Sequence, residues 1–159
     1  METTTNKFVA DVMLGRLARW LRLIGCDVYY DSTGEDSALL SRALAEDRVL
    51  LSADHTLVRR AGERGYLVIS DNFRKQLAQI VAHFGIEPNL DSDICPDCNG
   101  NLRDVPKPSV RADVPEYTYL THDRFRLCSE CGKIFWQGSH RELAEKELKK
   151  ILANIETSG

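Results

Sequence analysis

Residues 48–54, Arg48-Val-Leu-Leu-Ser-Ala-Asp54, are the stretch that decides the fold of this chain. The apolar run within it, Val49 to Leu51, has no polar alternation, which is typical of a parallel strand covered by helices on both faces. Asp54 closes the run, and a helical pattern follows it. Because similar apolar runs alternate with helical patterns on either side, the sequence indicates a series of crossover units.

Amphipathic helices separate the apolar runs between Phe8 and Phe84. The first helix places apolar residues at the spacing of one buried face, at Leu14, Leu17, Ala18 and Leu21. The sequence predicts four strands, Phe8–Ala10, Asp27–Tyr30, Arg48–Leu51 and Tyr66–Ile69. Strands and helices that alternate at this interval predict a three-layer α/β fold around a parallel sheet.

Aspartates follow several of these strands. Asp11 follows the first strand, Asp54 the third and Asp71 the fourth, and Asp36 begins the second helix. Because the carboxyl ends of parallel strands meet at one edge, where ligands bind, we expect these carboxylates to lie together. Like charges so close raise one another's pKa unless a cation sits among them. Mg²⁺ and Mn²⁺ prefer oxygen ligands and can promote phosphodiester hydrolysis.

Helix capping is the alternative role for these aspartates. Asp36 is as good an N-cap as it is a ligand, and Asp71 can simply start the turn before Phe73. Asp11 and Asp54 each directly follow a buried strand, where an unpaired carboxylate is costly to desolvate. We therefore favour metal binding over capping for Asp11 and Asp54.

Two CxxC pairs stand in the second half of the chain, Cys95-Pro-Asp-Cys98 and Cys128-Ser-Glu-Cys131. Their spacing predicts a tetrahedral Cys₄ zinc site, and four protein ligands leave no open position, so the zinc would be structural. Free thiols and a redox pair are the alternatives. Cys26 stands apart from the pairs and is predicted to be a small buried hydrophobe.

The remaining segments predict a small β ribbon and a C-terminal helix. Alternation at Tyr117–Tyr119 and at Phe125–Leu127 is typical of ribbon strands. From 141 to about 155, apolar residues recur at helical spacing, which predicts a helix that packs against a domain or a partner chain. We expect three units, a nuclease-like domain at 6–88, a zinc ribbon at 89–140 and a helix at 141–156.

The formal net charge is -3, so a nucleic-acid partner has to be bound by a local basic surface rather than by the field of the whole chain. Six residues are candidates for contacts with RNA: Arg16, Arg19 and Arg22 on the polar face of the first helix, and Arg126, Lys133 and Trp136 in the ribbon. The alternatives are that these arginines only solvate the helix and that Phe135 and Trp136 dock the ribbon; we favour docking for at least one ring.

The expected cellular location follows from two features that the sequence lacks, a membrane-spanning segment and a signal peptide. No stretch approaches the ~20 apolar residues that span a bilayer, and residues 1–6 do not resemble the start of a signal peptide. The CxxC pairs indicate reduced thiols rather than a secreted disulfide framework. We therefore expect a cytoplasmic protein with no membrane partner.

Three stretches carry a family resemblance. Residues 8–25, with Asp11, then Asp36, and then residues 49–54, with Asp54, resemble the PIN-like RNase family named for the C-terminal domain of the nematode mutator exonuclease. The tail 128–140, Cys-x-x-Cys-Gly-Lys-Ile-Phe-Trp-Gln-Gly-Ser-His, is similar to the end of that family's zinc ribbon. The likeness covers nearly the whole chain.

The resemblance implies a PIN-like domain with a four-stranded parallel sheet, followed by a zinc ribbon. It also implies RNA cleavage with Mg²⁺ or Mn²⁺ held by the acids matched by Asp11, Asp36 and Asp54. Ser52 replaces a threonine of the family and keeps the hydroxyl group. Relatives carry further acids just after the one matched by Asp36, where this chain has Ser37-Ala38, so Glu35 or Asp71 is expected to compensate.

The sequence thus predicts a metal-dependent ribonuclease that cuts RNA endonucleolytically, with structural zinc and catalytic Mg²⁺ or Mn²⁺. A non-catalytic RNA- or ribosome-binding adaptor is the alternative, and a homo-oligomer or a regulatory protein partner is compatible with both. A receiver-type phosphoryl-transfer domain ranks last, because residues 70–72, Ser-Asp-Asn, lack the lysine that it needs at the end of a strand.

Overall fold

The structure is a computed structural model that describes residues 6–137 and 139–157. Four parallel strands form one sheet in the order β2-β1-β3-β4: β1 Lys7–Ala10, β2 Asp27–Tyr30, β3 Val49–Ser52 and β4 Gly65–Leu67. The connecting helices are α1 Gly15–Leu23, α2 Asp36–Ala45, α3 His55–Ala61 and α4 Phe73–Phe84. The predicted α/β fold with a four-stranded parallel sheet is confirmed.

The two central strands are buried on both faces, which explains their continuous apolar sequence. Successive side chains of a strand point to opposite faces of the sheet. Phe8 of β1 and Leu51 of β3 therefore pack with α1 and α4, whereas Val9 and Leu50 pack with α2 and α3. These four side chains are fully buried. Each added methylene buried in this way contributes about 0.8 kcal/mol, so the middle of the sheet is a main source of stability.

The fourth strand is shorter than the predicted Tyr66–Ile69. It ends at Leu67, and Ile69 is 80% exposed. Beyond the end of the strand, the side-chain amide of Gln79, on α4, hydrogen-bonds to the backbone in place of a neighbouring strand. It donates to the Leu67 carbonyl at 3.0 Å and accepts from the Ile69 N–H at 3.1 Å. Asp71 consequently lies in the turn before α4 and not at the end of a strand.

The second sheet is a three-stranded antiparallel ribbon, made of β5 Leu102–Val105, β6 Phe125–Cys128 and β7 Ile134–Trp136. The strand predicted at Tyr117–Tyr119 is wrong, because these residues belong to a short helix, α5 Glu116–Thr121. Pro115 fixes a backbone angle compatible with a helix start. Residues two apart lie on opposite sides of a helix, at about 200°, so Tyr117 is 77% exposed whereas Tyr119 faces the ribbon. Tyr119 packs on Phe125 of the ribbon.

The predicted C-terminal helix is confirmed as α6 Ser139–Thr157. Leu148 and Ile151 are buried in the core that α1 and α4 share, and Glu147 pairs with Arg74 of α4. Within the described residues, no helix combines the length and apolar character needed to cross a membrane. The division into units at 6–88, 89–140 and 141–156 stays a prediction.

Ribbon residues bind the edge of the large sheet at β2. Asn99 Oδ1 accepts a hydrogen bond from the Val28 N–H at 2.9 Å, and Arg22 Nε donates to the Val28 carbonyl at 2.9 Å. Arg22 Nη1 also donates to the carbonyls of Pro96, at 3.4 Å, and Asp97, at 3.3 Å. These five residues form what we call the ribbon–sheet interface. It satisfies backbone groups that an edge strand would otherwise expose.

Candidate active site and metal centre

Asp11 lies directly after the central strand β1. Its backbone N–H donates to the Leu51 carbonyl of β3 at 3.0 Å, which keeps it in line with the sheet. Its Oδ1 accepts from the Val12 N–H at 2.6 Å and begins a single 3₁₀ turn. The Tyr30 hydroxyl donates to the Val12 carbonyl at 2.8 Å and closes over Gly15, where a Cβ would come within 2.8 Å of that hydroxyl. The chain after Asp11 is therefore tightly fixed.

Ser52 connects the two aspartates at the ends of the central strands. Its hydroxyl donates to Asp11 Oδ2 at 2.7 Å and accepts from the Asp54 N–H at 2.9 Å. Ser52 is fully buried, whereas Asp11 is half-buried and Asp54 is exposed. We call Asp11, Ser52 and Asp54 the carboxylate edge. The prediction that Asp11 and Asp54 share one edge of the sheet agrees with this arrangement.

Asp54 both caps a helix and faces solvent. Its Oδ1 accepts from the Thr56 and Leu57 N–H groups, at 2.8 and 3.3 Å, as an N-cap should. No hydrogen bond to Oδ2 is found among the described residues. Capping and metal binding are thus compatible at Asp54, because they use different oxygens.

Asp36 and Asp71 are exposed and lie outside the hydrogen-bonded carboxylate edge. Asp36 is the first residue of α2, and neither it nor the preceding Glu35 caps the helix through a side-chain hydrogen bond. The capping role considered for Asp36 is therefore wrong. Asp71 does not cap α4 either, because Asn72 does so by accepting from the Arg74 N–H at 2.8 Å.

Sequence reasoning did not single out Asp31, although it follows β2 as Asp11 follows β1. Tyr30 pairs with Ala10 in the sheet, so the two aspartates occupy neighbouring strand ends. The Asp31 carboxylate accepts from the Thr33 N–H and hydroxyl, at 2.9 and 2.8 Å, and these bonds lower its pKa. The same strand-end rule that selected Asp11 would have found Asp31.

The four predicted acids, Asp11, Asp36, Asp54 and Asp71, take part in none of the ion pairs found among the described residues. Across the residues that the structure describes, ion pairs join arginine or lysine to ten other acids, including Asp27, Asp91, Asp97 and Asp104. None of these pairs involves Asp11, Asp36, Asp54 or Asp71. Among the described residues, these four carboxylates therefore form no ion pair with an arginine or a lysine.

Of the three arginines predicted to contact RNA from the first helix, two are exposed. The Arg16 guanidinium lies 3.9 Å from the centroid of the Phe73 ring, one residue after the start of α1. Arg19 pairs with Asp97 of the ribbon. The assignment of Arg22 to the solvent-facing side is wrong, because Arg22 is only 5% exposed and bonds to the backbone in the ribbon–sheet interface.

The ribbon candidates differ in how accessible they are. The Arg126 side chain is 12% exposed, and its guanidinium bonds to the Ser92 carbonyl at 3.0 Å and to Asp93 at 2.6 Å. Lys133 is exposed and pairs with Asp97 at 2.7 Å. Trp136 is half-buried against the ribbon cluster of Phe125, and Phe135 packs against the cysteines. Both rings thus have a packing role.

The four cysteines lie close enough together to hold a metal ion, and we call them the metal centre. Within the described residues they are the one set of three or more Cys, His, Asp or Glu residues whose ligand atoms all lie within 4.8 Å of one another. The Cys95–Cys131 and Cys98–Cys128 sulfurs are 3.9 and 3.4 Å apart. A tetrahedral zinc with Zn–S bonds of ~2.3 Å requires sulfurs about 3.8 Å apart, so the cluster can hold a metal such as zinc. The aspartates at the strand ends form no such closed set.

The second cysteine loop favours a thiolate at Cys128. Burial by itself would raise the pKa of the Cys128 thiol, but the N–H groups of Cys131 and Glu130 lower it to about 7. Gly100 leaves room for the sulfurs, since a Cβ there would lie 2.9 Å from Cys128 Sγ and 3.0 Å from Cys98 Sγ. Cys26 is a separate case, because it lies in the apolar core, where burial raises its pKa to about 12.

Comparison with known proteins agrees with this architecture. The profile of the family described as the Mut7-C RNAse domain matches residues 6–148, a range that contains the carboxylate edge and all four cysteines. No curated protein and no solved structure gives a significant match. The family match covers most of the chain and confirms the resemblance seen in the sequence. This chain belongs to the Mut7-C RNAse domain family.

Proposed function

We propose that this chain is a metal-dependent ribonuclease that hydrolyses RNA phosphodiester bonds endonucleolytically at the carboxylate edge. Family membership supports a nuclease-like role. The observation that carries the proposal is the uncompensated charge of Asp11 and Asp54, which are joined through Ser52 and have no basic partner among the described residues. Carboxylates in this situation favour a bound divalent cation.

The donor set of the carboxylate edge fits Mg²⁺ or Mn²⁺. Its side-chain donors are all oxygens, which these hard cations prefer. Asp54 Oδ2 and the Asp36 carboxylate have no hydrogen bond among the described residues, so they can serve as ligands without loss of a helix cap. Mg²⁺ usually keeps several waters and does not need a closed set of protein ligands such as the cysteines form. When bound, such a cation supplies Lewis-acid catalysis of phosphodiester hydrolysis.

The surrounding residues then have definite tasks. Ser52 holds the Asp11 carboxylate in one orientation, in the manner of residues that support metal ligands. Arg16 lies beside the start of α1, close along the chain to Asp11, and its stacking on Phe73 pre-orients the guanidinium for a phosphate oxygen. Asp36, at the start of α2, is the third proposed metal-binding acid, and Asp71 is the candidate for a fourth.

We also propose that the four cysteines hold zinc and that this zinc is structural. Four thiolates complete a tetrahedron and leave no position for substrate. Burial raises the pKa of Cys95 to about 11 and that of Cys98 to about 12, so their deprotonation near neutral pH requires the charge of a bound cation.

The proposed activity is tested with a labelled mixed RNA pool. The zinc-loaded protein is expected to cut it when Mn²⁺ or Mg²⁺ is added and to leave it intact without either cation, because the role proposed for the carboxylates is to hold that cation. Fragment lengths distinguish internal cuts from stepwise removal of terminal nucleotides. A folded, zinc-loaded protein that binds RNA but never cuts it would support the adaptor function instead.

Ser52 gives a sharper prediction. Ser52→Ala removes the hydrogen bond that orients Asp11 and is expected to lower kcat by about tenfold to a hundredfold, the usual effect of losing a residue that supports a metal ligand. Ser52→Thr keeps the hydroxyl and is the matched control. Steady-state cleavage at saturating Mn²⁺ measures both variants. Equal rates for Ser52→Ala and the parent would show that Asp11 needs no such support.

A further inference from the structure

A cleft of about 240 Å³ lies where the sheet domain, the ribbon and α6 meet. One wall comes from the C-terminal half of α1, with Leu23, and the linker residue Leu90 continues it. The ribbon supplies Phe135 and Trp136. Ligand sites for drug-sized molecules measure roughly 300–1,000 Å³, so this cleft suits a smaller group such as one base with its phosphate.

Four arginines line the same cleft, Arg19, Arg124, Arg126 and Arg141. Apolar walls with an aromatic ring, here that of Phe135, and several guanidinium groups are the combination that binds single-stranded nucleic acid, with a base on the ring and phosphates on the arginines. The site combines residues of the ribbon with Arg19 of α1 and Arg141 of α6, which are far apart in the sequence.

Three of these arginines pair with aspartates that are exposed to solvent. Arg126 pairs with Asp93, Arg141 with Asp91 and Arg124 with Asp104, and the three aspartates are 76%, 58% and 63% exposed. Ion pairs with such exposed carboxylates are weak, so a phosphate can join or replace the carboxylate. In addition, Arg126 Nε is a buried donor without an acceptor in the described part of the chain.

We propose that this cleft binds one nucleotide of an RNA strand, with the base against the Phe135 ring and the phosphate on Arg126, Arg124 and Arg141. Helix α1 connects it to the carboxylate edge, because the helix begins just after Asp11 with Arg16 and reaches the cleft at Arg19 and Leu23. At ~1.5 Å per residue, Leu23 lies about 12 Å along the helix from Gly15. The inference deepens the proposed ribonuclease function, on which its choice of RNA as ligand rests.

The test uses the fluorescence of Trp136. The chain has two tryptophans, so Trp20→Phe leaves Trp136 as the single indole. This protein is titrated, without added Mg²⁺ or Mn²⁺, with nucleoside monophosphates, with the matching nucleosides and with inorganic phosphate. We expect saturable quenching by the monophosphates, and weaker binding, by about tenfold or more, of ligands that lack either the phosphate or the base. Binding of inorganic phosphate as tight as that of the monophosphates would overturn the proposal.

Variants locate the binding to the cleft. Arg126→Gln and, separately, Arg124→Gln are expected to weaken monophosphate binding by about tenfold, because hydrogen bonds to a charged group are lost. Arg103→Gln, on the exposed side of β5, is the matched control and is expected to bind like the parent. Arg124 makes only exposed contacts, so its variant stays informative if loss of Arg126 disturbs the ribbon. Unchanged affinity in a folded Arg124→Gln or Arg126→Gln protein contradicts the proposal.

The outcome is separable from that of the nuclease test. Asp11→Asn with Asp54→Asn removes the proposed catalytic acids and is expected to leave monophosphate binding unchanged. Conversely, a cleft variant should still cut RNA at saturating substrate but should need more RNA to reach half its maximal rate. A protein that cuts RNA while showing no monophosphate quenching would therefore overturn the cleft site alone.

Discussion

Asp11→Asn combined with Asp54→Asn is expected to lower RNA cleavage by about a thousandfold or more and to leave the fold intact. Removal of one well-placed electrostatic group commonly costs a hundredfold to a thousandfold in rate, and here two of the proposed metal ligands lose their charge. The measurement is the initial rate of cleavage of a labelled RNA in Mn²⁺ or Mg²⁺.

The structure indicates why the fold should survive this change. Asparagine caps helices about as well as aspartate, so Asp54→Asn keeps the bonds from Thr56 and Leu57 to its side-chain oxygen. An asparagine at position 11 keeps one acceptor oxygen for the Val12 N–H, and its amide nitrogen can donate to the Ser52 hydroxyl, so a side-chain bond to Ser52 is retained with its direction reversed. Thermal unfolding of the double variant is therefore expected to match that of the parent within a few degrees, about 1 kcal/mol in unfolding free energy.

Single variants rank the remaining acids. Asp36→Asn is expected to reduce the rate more than Asp71→Asn, because Asp36 starts α2, the helix that follows β2, and matches an acid of the family, whereas Asp71 lies in the turn after a shortened β4. Asp113→Asn, in the ribbon, is the matched control. If the double variant cuts RNA as fast as the parent, the carboxylate edge is not the catalytic site.

Removal of zinc is expected to destabilise the large sheet as well as the ribbon. The loop between Cys95 and Cys98 supplies the carbonyls of Pro96 and Asp97 to Arg22, and Asn99 follows directly with its bond to Val28. Loss of the metal frees this loop, so β2 keeps its pairing with β1 but loses the ribbon groups bonded to its outer edge. Amide hydrogen exchange at Val28 is therefore expected to rise when a chelator removes the metal.

Two variants isolate this coupling while the cysteines stay in place. Arg22→Met removes a buried cation and leaves three carbonyls without their donor, which is expected to cost about 3 kcal/mol and to lower the Tm by about 10 °C. Asn99→Gly keeps the positive φ of 71° at this position but removes the side chain that bonds Val28. It is expected to raise exchange at Val28 with a smaller loss of stability.

Lys133→Met is the matched control for Arg22→Met. It removes a basic group that also pairs with the first cysteine loop, but the Lys133 side chain is exposed and its ion pair with Asp97 is worth about 1 kcal/mol or less. Slow exchange at Val28 after metal removal, with the ribbon demonstrably unfolded, would show that β2 does not depend on the metal centre.

Local sequence determined the sheet, the acids and the cysteines. The uninterrupted apolar run Val49–Leu51 requires cover on both faces, which is possible only inside a layered α/β fold. The strand ends then place Asp11 and Asp54 together, because parallel strands share one carboxyl edge. The spacing of each CxxC pair similarly brings two sulfurs to one loop. These features depend on residues that are near neighbours in the chain.

The tertiary structure alone decided which polar side chains became buried. Arg22 looked like part of a solvent-facing row with Arg16 and Arg19, yet at about 100° per residue it lies only about 40° from Ala18 of the apolar face. Whether such a boundary residue faces water depends on what packs there, and here the first cysteine loop does. Tertiary packing also creates the group of arginines in the cleft. Arg19, Arg126 and Arg141 come together only when the ribbon and α6 pack beside α1.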